Sequence, residues 1–392
     1  MTVVFFVLGL VQCALLFALM RCGARLAAAA RREREEARYA PHGGWPRAAM
    51  IIPAAGNDPR MEAALRSLLR QDYPDLLPVI VTSGEDDPAV GIIRRLREDF
   101  PALRHVVAGE ARDCGQKNLN SLAGVAAVGD AADIYLFCDS THMAGPEFAR
   151  CLAGPLARHE AAFSTGYHEV EPRDHGPVTL AYALSVLLMR LLQGVAAFTQ
   201  PWGGAMGMTR AAFERYGVAR LWASNVVDDC SLGAMLQARG VHVRLCAAAL
   251  LRTTAARHAF GVWRAWMERQ VLFLKFCMTG QWLLLGVLAA LMLAPPLWAC
   301  IALGGGLLGL GGGMAPFLAL CWLVLLAGTL SGWRRLLPVA VPLGRWLGAF
   351  FCAAGLFACV YAATIPAKTI AWRHMVYLVG KGGVLLGMRR RN

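Results

Sequence analysis

The chain has 392 residues, of which 57% are hydrophobic, and its formal net charge is +13. This composition is too apolar for one soluble domain, and the excess lies in three segments without a charged residue: 1–20, 276–333 and 346–367. Because about 20 apolar residues span a bilayer, the first segment predicts one span, the second two and the third one. No basic region precedes the first segment, so it is predicted to be an anchor rather than a cleaved signal.

The positive charge is also localised. Residues 21–40 hold six Arg against three Glu, 334–345 hold three Arg, and 367–392 hold six Lys or Arg without an acid. Basic residues beside apolar segments mark the cytoplasmic side and face anionic headgroups. This distribution excludes nucleic acid as a partner, since the middle of the chain is nearly neutral. It predicts a multi-pass protein of a bacterial inner membrane with a cytoplasmic globular domain.

The topology suggested by the apolar segments conflicts with the charge of the last residues. Basic residues after the first segment place the N-terminus outside, and three further full spans would place the C-terminus outside as well. Yet 367–392 is the most basic segment of the chain, so we predict a cytoplasmic C-terminus. One segment within 336–366 is then re-entrant or interfacial rather than spanning.

Between the apolar segments, short apolar runs alternate with amphipathic stretches. The runs predicted as strands are 48–53, 78–82, 103–107 and 134–138. This alternation predicts an α/β domain with a mostly parallel sheet and right-handed crossovers. Segment 177–198 is apolar but contains Arg190 and Gln193, so we expect it to pack on the domain or lie at the membrane surface.

The chain is therefore predicted to have six parts. In order, they are an N-terminal transmembrane helix (1–21), a basic juxtamembrane linker (22–45), a cytoplasmic α/β domain (46–257), an amphipathic interfacial helix (258–280), a transmembrane or re-entrant region (281–366) and a basic cytoplasmic tail (367–392).

Three acidic clusters follow apolar runs that we interpret as strands. They are Glu85-Asp86-Asp87, Asp139-Ser140 and Asp228-Asp229. Ligands of an open α/β sheet bind at the carboxyl ends of its strands, and carboxylates there suit a hard cation that bridges phosphates. One acid can bind a nucleoside, one can hold a metal across a diphosphate, and one can accept a proton from a hydroxyl. A nucleotide-sugar transferase needs these three functions.

These motifs resemble those of family-2 glycosyltransferases with the GT-A fold, and most closely the ceramide glucosyltransferase-like and hopanoid-associated branch. Asp86-Asp87-Pro88-Ala89 matches its D-D-P-A loop, 116–120 is similar to its P-K-x-x-N loop, and Cys138-Asp139-Ser140 is similar to its C-D-S metal motif. Residues 203–206 resemble a glycine-rich strand on the acceptor side, and 371–377 resemble a W-R-x-x-x-Y segment. The resemblance implies a GT-A domain with transmembrane helices at both ends.

The resemblance also implies a role for individual residues. Asp229 is the implied catalytic base and Asp139 the implied ligand of a divalent cation, Mg²⁺ or Mn²⁺, because phosphate and oxygen ligands favour hard ions. The implied substrate-binding residues are Asp86 and Asp87, of which either can be the donor ligand, and Lys117, Asn118, Gly204, Asp228 and Arg269. The implied partners are a nucleotide-sugar donor, UDP-linked, a membrane lipid acceptor and the bilayer.

The match departs from the family pattern at two places. Thr141 stands where many relatives have a second metal-binding Asp, although the ceramide branch lacks it too. The family motif Gln/Arg-x-x-Arg-Trp corresponds here to 266–270, where only Arg269 is retained. The missing Trp leaves the identity of the acceptor open. A simpler interpretation of Asp87 is that it caps the following helix. His142 stands beside the metal motif, but the family motif does not require it as a metal ligand.

These observations favour a membrane-bound inverting glycosyltransferase that acts on a lipid hydroxyl. A processive polysaccharide synthase is the nearest alternative, but it needs more spans and an intact Arg-Trp motif. A non-catalytic membrane scaffold or transporter with a nucleotide-binding domain is a third hypothesis. It would lack the base, whereas Asp229 is present, and the apolar segments hold no charged residue of the kind that lines an ion path.

Overall fold

The computed structural model describes residues 2–310 and 313–391. The helices in these ranges are α1 Thr2–Ala37, α2 Met61–Leu69, α3 Ala89–Asp99, α4 Gln116–Val128, α5 Phe148–Ala157, α6 Pro177–Gln193, α7 Arg210–Arg215, α8 Val218–Trp222, α9 Asp228–Ala238, α10 Phe260–Cys277, α11 Thr279–Leu307, α12 Met314–Trp333 and α13 Leu343–Thr364. The strands are β1 Ala48–Pro53, β2 Leu76–Thr82, β3 Arg104–Val107, β4 Ile134–Cys138, β5 Phe163–Pro172, β6 Ala205–Thr209, β7 Arg244–Ala255, β8 Thr369–Trp372, β9 Met375–Val379 and β10 Leu385–Arg390.

A seven-stranded sheet forms the centre of the globular domain, with the strand order β3-β2-β1-β4-β6-β5-β7. Strands β1 to β4 are parallel, β5 and β7 are parallel, and β6 runs antiparallel to both of its neighbours. The apolar runs in β1 and β4 are buried because helices cover both faces of the sheet. The mostly parallel α/β sheet is therefore confirmed.

Alternate residues of each central strand enter different cores. Met50 and Ile52 of β1 pack with α2, α3 and α5 on one face, whereas Ile51 packs with α4, α8 and α9 on the other. Helix α4 approaches the sheet closely at Gly124, where a Cβ atom would lie 2.5 Å from Cγ2 of Ile51. This tight layer fixes the N-terminal end of α4 at the carboxyl edge of the sheet.

Four helices are long and apolar enough to cross a membrane: α1, α11, α12 with the turn that follows it, and α13. Helices α1, α11 and α12 pack together around the buried side chain of Gln12. Gln12 donates to the carbonyl of Met292 at 3.2 Å and accepts from the indole N–H of Trp322 at 3.2 Å. Both ends of this amide are satisfied, as an apolar environment requires. The basic residues after the first apolar segment continue α1 without a break to Ala37.

Helix α13 begins and ends near the globular domain. In the turn before α13, Leu336 lies beside α1 and α6, since a Cβ atom at Gly23 would lie 2.6 Å from Leu336 and 3.0 Å from Leu191. At the other end, Lys275 of α10 donates to the carbonyls of Thr364 and Ala367, each at 2.7 Å. Between these points α13 packs along α6 and α10. It also contacts α11 and α12.

The last residues fold onto the globular domain as a three-stranded antiparallel sheet, in the order β10-β9-β8. Asn225 anchors this sheet, because its side-chain amide donates to the carbonyl of Gly382 at 2.7 Å. The backbone N–H of Val226 donates to Gly383 at 3.0 Å, and that of Leu385 donates to Ser224 at 2.9 Å. The segment that we expected to be a basic tail is thus a folded wall of the domain.

Candidate active site

A polar cavity of about 1100 Å³ opens at the carboxyl edge of β1, β2 and β4. Seven of the nine residues predicted for the site line it: Asp87, Lys117, Asp139, Gly204, Asp228, Asp229 and Arg269. They come from segments up to 182 positions apart in the sequence, and the sheet brings them together. The remaining two predictions, Asp86 and Asn118, do not line this cavity.

Asp87 forms one corner of the polar cavity. Its Oδ1 atom accepts the backbone N–H of Gly56 at 2.8 Å and that of Ala89 at 2.9 Å. The contact with Ala89 is made at the start of α3. Asp87 therefore both caps this helix and lines the cavity. Asp86 is exposed and lies outside the cavity lining. Of the two candidates, Asp87 is the one placed to contact a ligand.

Lys117 lies at the centre of the charged residues. Its Nζ atom is 2.8 Å from Oδ1 of Asp139 and 3.1 Å from Oδ2 of Asp228, and it donates to the carbonyl of Gly203 at 2.9 Å. Burial alone would lower the pKa of Lys117, but the carboxylates of Asp139, Asp228 and Asp229 raise it above its usual value. The lysine is therefore a permanent cation that holds two of the acids in place.

Gly203 permits this arrangement because no side chain fits at its position. A Cβ atom there would lie 2.6 Å from Nζ of Lys117 and 2.7 Å from Oδ2 of Asp228. A Cβ atom at Gly204 would lie 2.3 Å from the ring of Trp202. The glycine-rich segment thus lets backbone pass between charged groups that a larger residue would separate.

Asp229 occupies the first turn of α9 and faces the cavity. Its Oδ2 atom accepts the backbone N–H of Gly203 at 2.8 Å, and its Oδ1 atom accepts that of Cys230 at 2.6 Å. Burial and the neighbouring carboxylate of Asp228 raise the pKa of Asp229 to about 7, against the lowering effect of Lys117. A carboxylate that titrates near neutrality is well matched to accept a proton from a hydroxyl.

The acidic pair Asp228-Asp229 does not follow a strand, contrary to the sequence prediction. The preceding apolar residues Val226 and Val227 lie in an irregular segment, and α9 begins at Asp228 rather than near Leu232. A short apolar run can be a buried strand or a buried loop, and its periodicity does not distinguish the two. Here Val226 and Val227 pack against β8 and β9, which the sequence analysis did not predict.

Asn118 has a structural role rather than the predicted contact with substrate. Its buried amide donates to the carbonyls of Trp222 at 3.2 Å and Asn225 at 2.7 Å. Asn120, which the analysis did not select, lines the cavity and accepts from Gln116 at 2.8 Å. The signal for Asn120 was available, because the P-K-x-x-N spacing places the asparagine three residues after the lysine.

Asp139 and His142 are the candidate metal ligands of the segment after β4. Oδ2 of Asp139 lies 3.8 Å from Nε2 of His142, and Nδ1 of the histidine is 2.5 Å from Oγ1 of Thr253. Burial lowers the pKa of His142, which favours the neutral imidazole that binds metals. The ring therefore presents its second nitrogen towards Asp139.

This donor set fits a cation that arrives together with phosphate. No group of three or more His, Cys, Asp or Glu side chains able to hold a metal occurs in the described residues. Mg²⁺ and related ions need only one or two carboxylates when phosphate oxygens and water complete the coordination. Asp139, which lines the cavity and has a side chain 34% exposed, is the candidate for such a ligand.

A second, apolar cavity of about 200 Å³ lies between the globular domain and the long helices. Most of its lining comes from α6, α10, α11 and α13, including Leu188, Leu284 and Ala353. Leu284 is 40% exposed on the outer surface of α11, so the cavity adjoins the apolar exterior of the helices. Five residues line both cavities: Tyr167, Trp202, Asp229, Gln270 and Phe273. Asp229 is the only carboxylate among these five.

Comparisons with known proteins agree with this architecture. A sequence profile described as Glycosyl transferase family 21 matches residues 4–385. No curated protein sequence matches the chain.

Among solved structures, the mannosyltransferase PcManGT from Pyrobaculum calidifontis, in complex with GDP-Man and Mn²⁺, is similar with a TM-score of 0.50 and 15% identity, covering 89% of this chain and 98% of that chain. The glucosyl-3-phosphoglycerate synthase of M. tuberculosis has a TM-score of 0.34 and 16% identity, with 58% and 79% of the two chains covered. The likeness to PcManGT confirms the predicted GT-A-type fold.

Proposed function

The chain belongs to glycosyl transferase family 21, and from this premise we propose that it moves a sugar from a nucleotide donor to the hydroxyl of a membrane lipid, with inversion at the sugar carbon. The proposed donor is UDP-linked, and the proposed acceptor is a ceramide-like or other hydroxylated lipid. The observation that carries the proposal is the position of Asp229, which borders the polar and the apolar cavity.

The polar cavity suits the nucleotide part of the donor. Asp87, held by the backbone of Gly56 and Ala89, offers its second oxygen to hydroxyl or N–H groups of the nucleoside. Asp139 would hold the divalent cation against the diphosphate, and His142 lies beside it as a second candidate ligand. Such a cation supplies charge neutralisation of the leaving diphosphate when it is bound.

The proposed reaction is a single displacement. Asp229 accepts the proton of the lipid hydroxyl, the hydroxyl oxygen forms a bond to the sugar carbon, and the bond from that carbon to the phosphate oxygen breaks with its electron pair left on the diphosphate. The backbone N–H groups of Gly203 and Cys230 fix the orientation of the carboxylate. Lys117 holds Asp228 beside it, and the like charge of Asp228 raises the pKa of Asp229 towards neutrality.

The apolar cavity suits the hydrocarbon part of the acceptor. Its walls come from helices that present apolar side chains, and it reaches the exposed face of α11 at Leu284. A lipid chain in this cavity leaves its hydroxyl at the boundary with the polar cavity, where Asp229 lies. Because the lipid chain enters this cavity from the hydrocarbon of the bilayer and not from water, its burial adds little hydrophobic free energy, and the cavity acts by placing the hydroxyl.

The proposed membrane arrangement has three spans, α1, α11 and α12, with the globular domain and the last residues in the cytoplasm. Helix α13 lies at the interface in this proposal. The support is that the turn before α13 packs beside Gly23 and Leu191, and that Lys275 binds the carbonyls at its other end. Placement of the C-terminus is tested by fusing a fluorescent protein or a periplasmic alkaline phosphatase after Asn392. Fluorescence without phosphatase activity supports the arrangement, and the reverse result contradicts it.

The function is tested with the full-length protein purified in detergent. The protein is incubated with Mg²⁺ or Mn²⁺, a panel of nucleotide sugars and an extract of native membrane lipids, and the products are analysed by mass spectrometry. A lipid increased by one hexose or N-acetylhexosamine supports the proposal, provided that Asp229→Asn abolishes it. A sugar polymer would indicate the polysaccharide synthase instead. Nucleotide binding without any product would indicate the non-catalytic alternative.

A further inference from the structure

The tight turn between β8 and β9 places two residues in the polar cavity. Trp372 pairs with Met375 across the hairpin, so Arg373 and His374 form the turn, and both line the cavity. Arg373 has a φ of +55°, a left-handed conformation that glycine adopts readily and arginine rarely does. Unfavourable conformations of this kind cluster where a side chain has a function. His159 and Arg257 also have a positive φ, so this conformation is informative at Arg373 because the residue lines the cavity.

The guanidinium of Arg373 lies beside the loop that Asp87 holds. A Cβ atom added to Gly56 would lie 4.0 Å from Nη1 of Arg373, and the N–H of Gly56 is the group that donates to Asp87. The turn thus extends from the C-terminal sheet to the end of β1. It covers the same part of the cavity that the nucleotide occupies in the proposed function.

Arg269 of α10 lies close enough to Arg373 for the two positive charges to interact. Burial and the charge of Arg373 both lower the pKa of Arg269, while Glu268 raises it. Within the described residues, no carboxylate oxygen lies within 4.0 Å of either guanidinium, which is the distance limit for an ion pair. Lys117, in contrast, is already paired with two carboxylates. Among the described residues, three arginines that line the cavity therefore carry positive charge outside any ion pair: Arg269, which is half-buried, and Arg373 and Arg112, which are exposed.

We infer that Arg373 and Arg269 together bind the diphosphate of the nucleotide donor, and that the β8–β9 turn is a wall of the donor site. Guanidinium groups match phosphate oxygens in a planar, bidentate fashion, and an anion between them removes their mutual repulsion. Negative charge on the diphosphate increases when the bond to the sugar breaks, so the arginines also stabilise the leaving group. This inference rests on the proposed function for the identity of the ligand.

The anchor of the C-terminal sheet connects this wall to the catalytic segment. Asn225 donates to the carbonyl of Gly382, and its own carbonyl accepts from the backbone of Gly115 and from the side chain of Asn118. It stands three residues before Asp228 in the sequence. One residue thus positions the start of α4, the start of α9 and the sheet that carries Arg373.

The test measures binding of diphosphates and nucleosides to the full-length protein in detergent. UDP, GDP, uridine and guanosine are titrated by calorimetry, in the presence of Mg²⁺, into the wild type, Arg373→Gly and Arg373→Gln. The matched control is Arg389→Gln, because Arg389 lies on β10 of the same sheet outside the cavity lining. Arg373→Gly also relaxes the turn, so we expect it to unfold at or above the wild-type temperature.

We expect the diphosphate that binds the wild type to lose roughly tenfold to a hundredfold in affinity in both Arg373 variants, as for a lost hydrogen bond to a charged group. Nucleoside affinity and the Arg389→Gln control should remain at the wild-type level. Wild-type diphosphate affinity in a stable Arg373→Gly protein would overturn the inference, and so would a wild type that binds neither diphosphate. A wild type that binds diphosphate through Arg373 but transfers no sugar would contradict the proposed function alone.

Discussion

The polar and apolar cavities meet at Asp229 but are built in opposite ways. In the polar cavity, charged side chains from sheet edges and helix starts are fixed by ion pairs and backbone N–H groups, as Lys117 and Asp87 show. In the apolar cavity, the walls are side chains of long helices, with few polar atoms to satisfy. Hydrogen-bonding sites reject ligands that leave buried groups unpaired, whereas apolar sites discriminate by only about 1–3 kcal/mol per methylene. We therefore expect strict selection of the donor and looser selection of the acceptor.

Removal of the base should separate chemistry from binding in both cavities. Asp229→Asn retains the size of the side chain but cannot accept a proton at neutral pH. We expect turnover to fall by roughly 10²–10⁴-fold, which is the usual contribution of a general base. Donor affinity should change little. The measurement is initial rate with saturating donor and lipid, together with calorimetric titration of the nucleotide.

The neighbouring acid provides the control for this substitution. If Asp228→Asn were inactive while Asp229→Asn retained normal turnover, the roles of the two acids would be exchanged. Normal turnover in both variants would contradict the assignment of catalysis to this pair.

Removal of the central cation from the polar cavity should destabilise the fold, because it leaves buried carboxylates unpaired. Lys117→Met leaves Asp139 and Asp228 without their cation, and the side chain of Asp228 is only 4% exposed. Breaking a buried pair from one side costs roughly 3–5 kcal/mol, so the melting temperature should fall. The check is thermal unfolding in detergent, followed by the tryptophan signal.

Exposed ion pairs of the same chain give the comparison for Lys117. Arg47→Met removes the partner of Asp75 in a pair whose side chains are both about half exposed, and such a pair contributes about 0–1 kcal/mol. Equal loss of stability in the two variants would show that Lys117 is no more than a surface lysine.

The apolar cavity should respond to a change of volume rather than of charge. Ala353 lines it on α13, and Ala353→Phe places a ring where the proposed lipid chain lies. We expect the rate of transfer to lipid to fall about tenfold, because overpacking of roughly 1–3 kcal/mol competes with the acceptor. The Michaelis constant for the donor should stay constant.

Ala363→Phe on the exposed side of the same helix is the matched control. A fall in rate with this variant as large as with Ala353→Phe would assign the effect to the membrane surface of α13. A loss of donor affinity in Ala353→Phe would contradict the separation of the two cavities.

The smallest expected effect is a shift in the pH profile of turnover, which depends on Asp229 at the boundary of the two cavities. The pKa of Asp229 is raised to about 7 by burial and by Asp228, and the base is active only when deprotonated. Turnover should therefore rise with pH through about 7 and level off above it. Asp228→Asn removes a like charge, so the midpoint in any residual activity should move to lower pH. An unchanged midpoint would show that another group controls the profile.

Features that depend on local pattern could be predicted from the amino-acid sequence alone. Charge-free segments predicted the long apolar helices, alternating apolar runs predicted the α/β sheet, and the acid after β4 placed Asp139 at its edge, whereas the strand predicted before Asp229 does not form. These signals are strong because they depend on periodicity and on the position of an acid relative to a strand. The choice between Asp86 and Asp87 stayed open, since both belong to the same loop.

The tertiary structure decided the features that depend on contacts between distant segments. The sequence analysis selected Asn118, but its neighbour two positions later, Asn120, lines the cavity because helix rotation sets which side chain faces outward. The last residues were predicted as a basic tail, with 371–377 noted for a family resemblance, since three short strands give little local signal. Their packing on Asn225, more than 140 positions earlier, brings Arg373 into the polar cavity. Such placement follows from long-range hydrogen bonds and burial, which no local window of sequence contains.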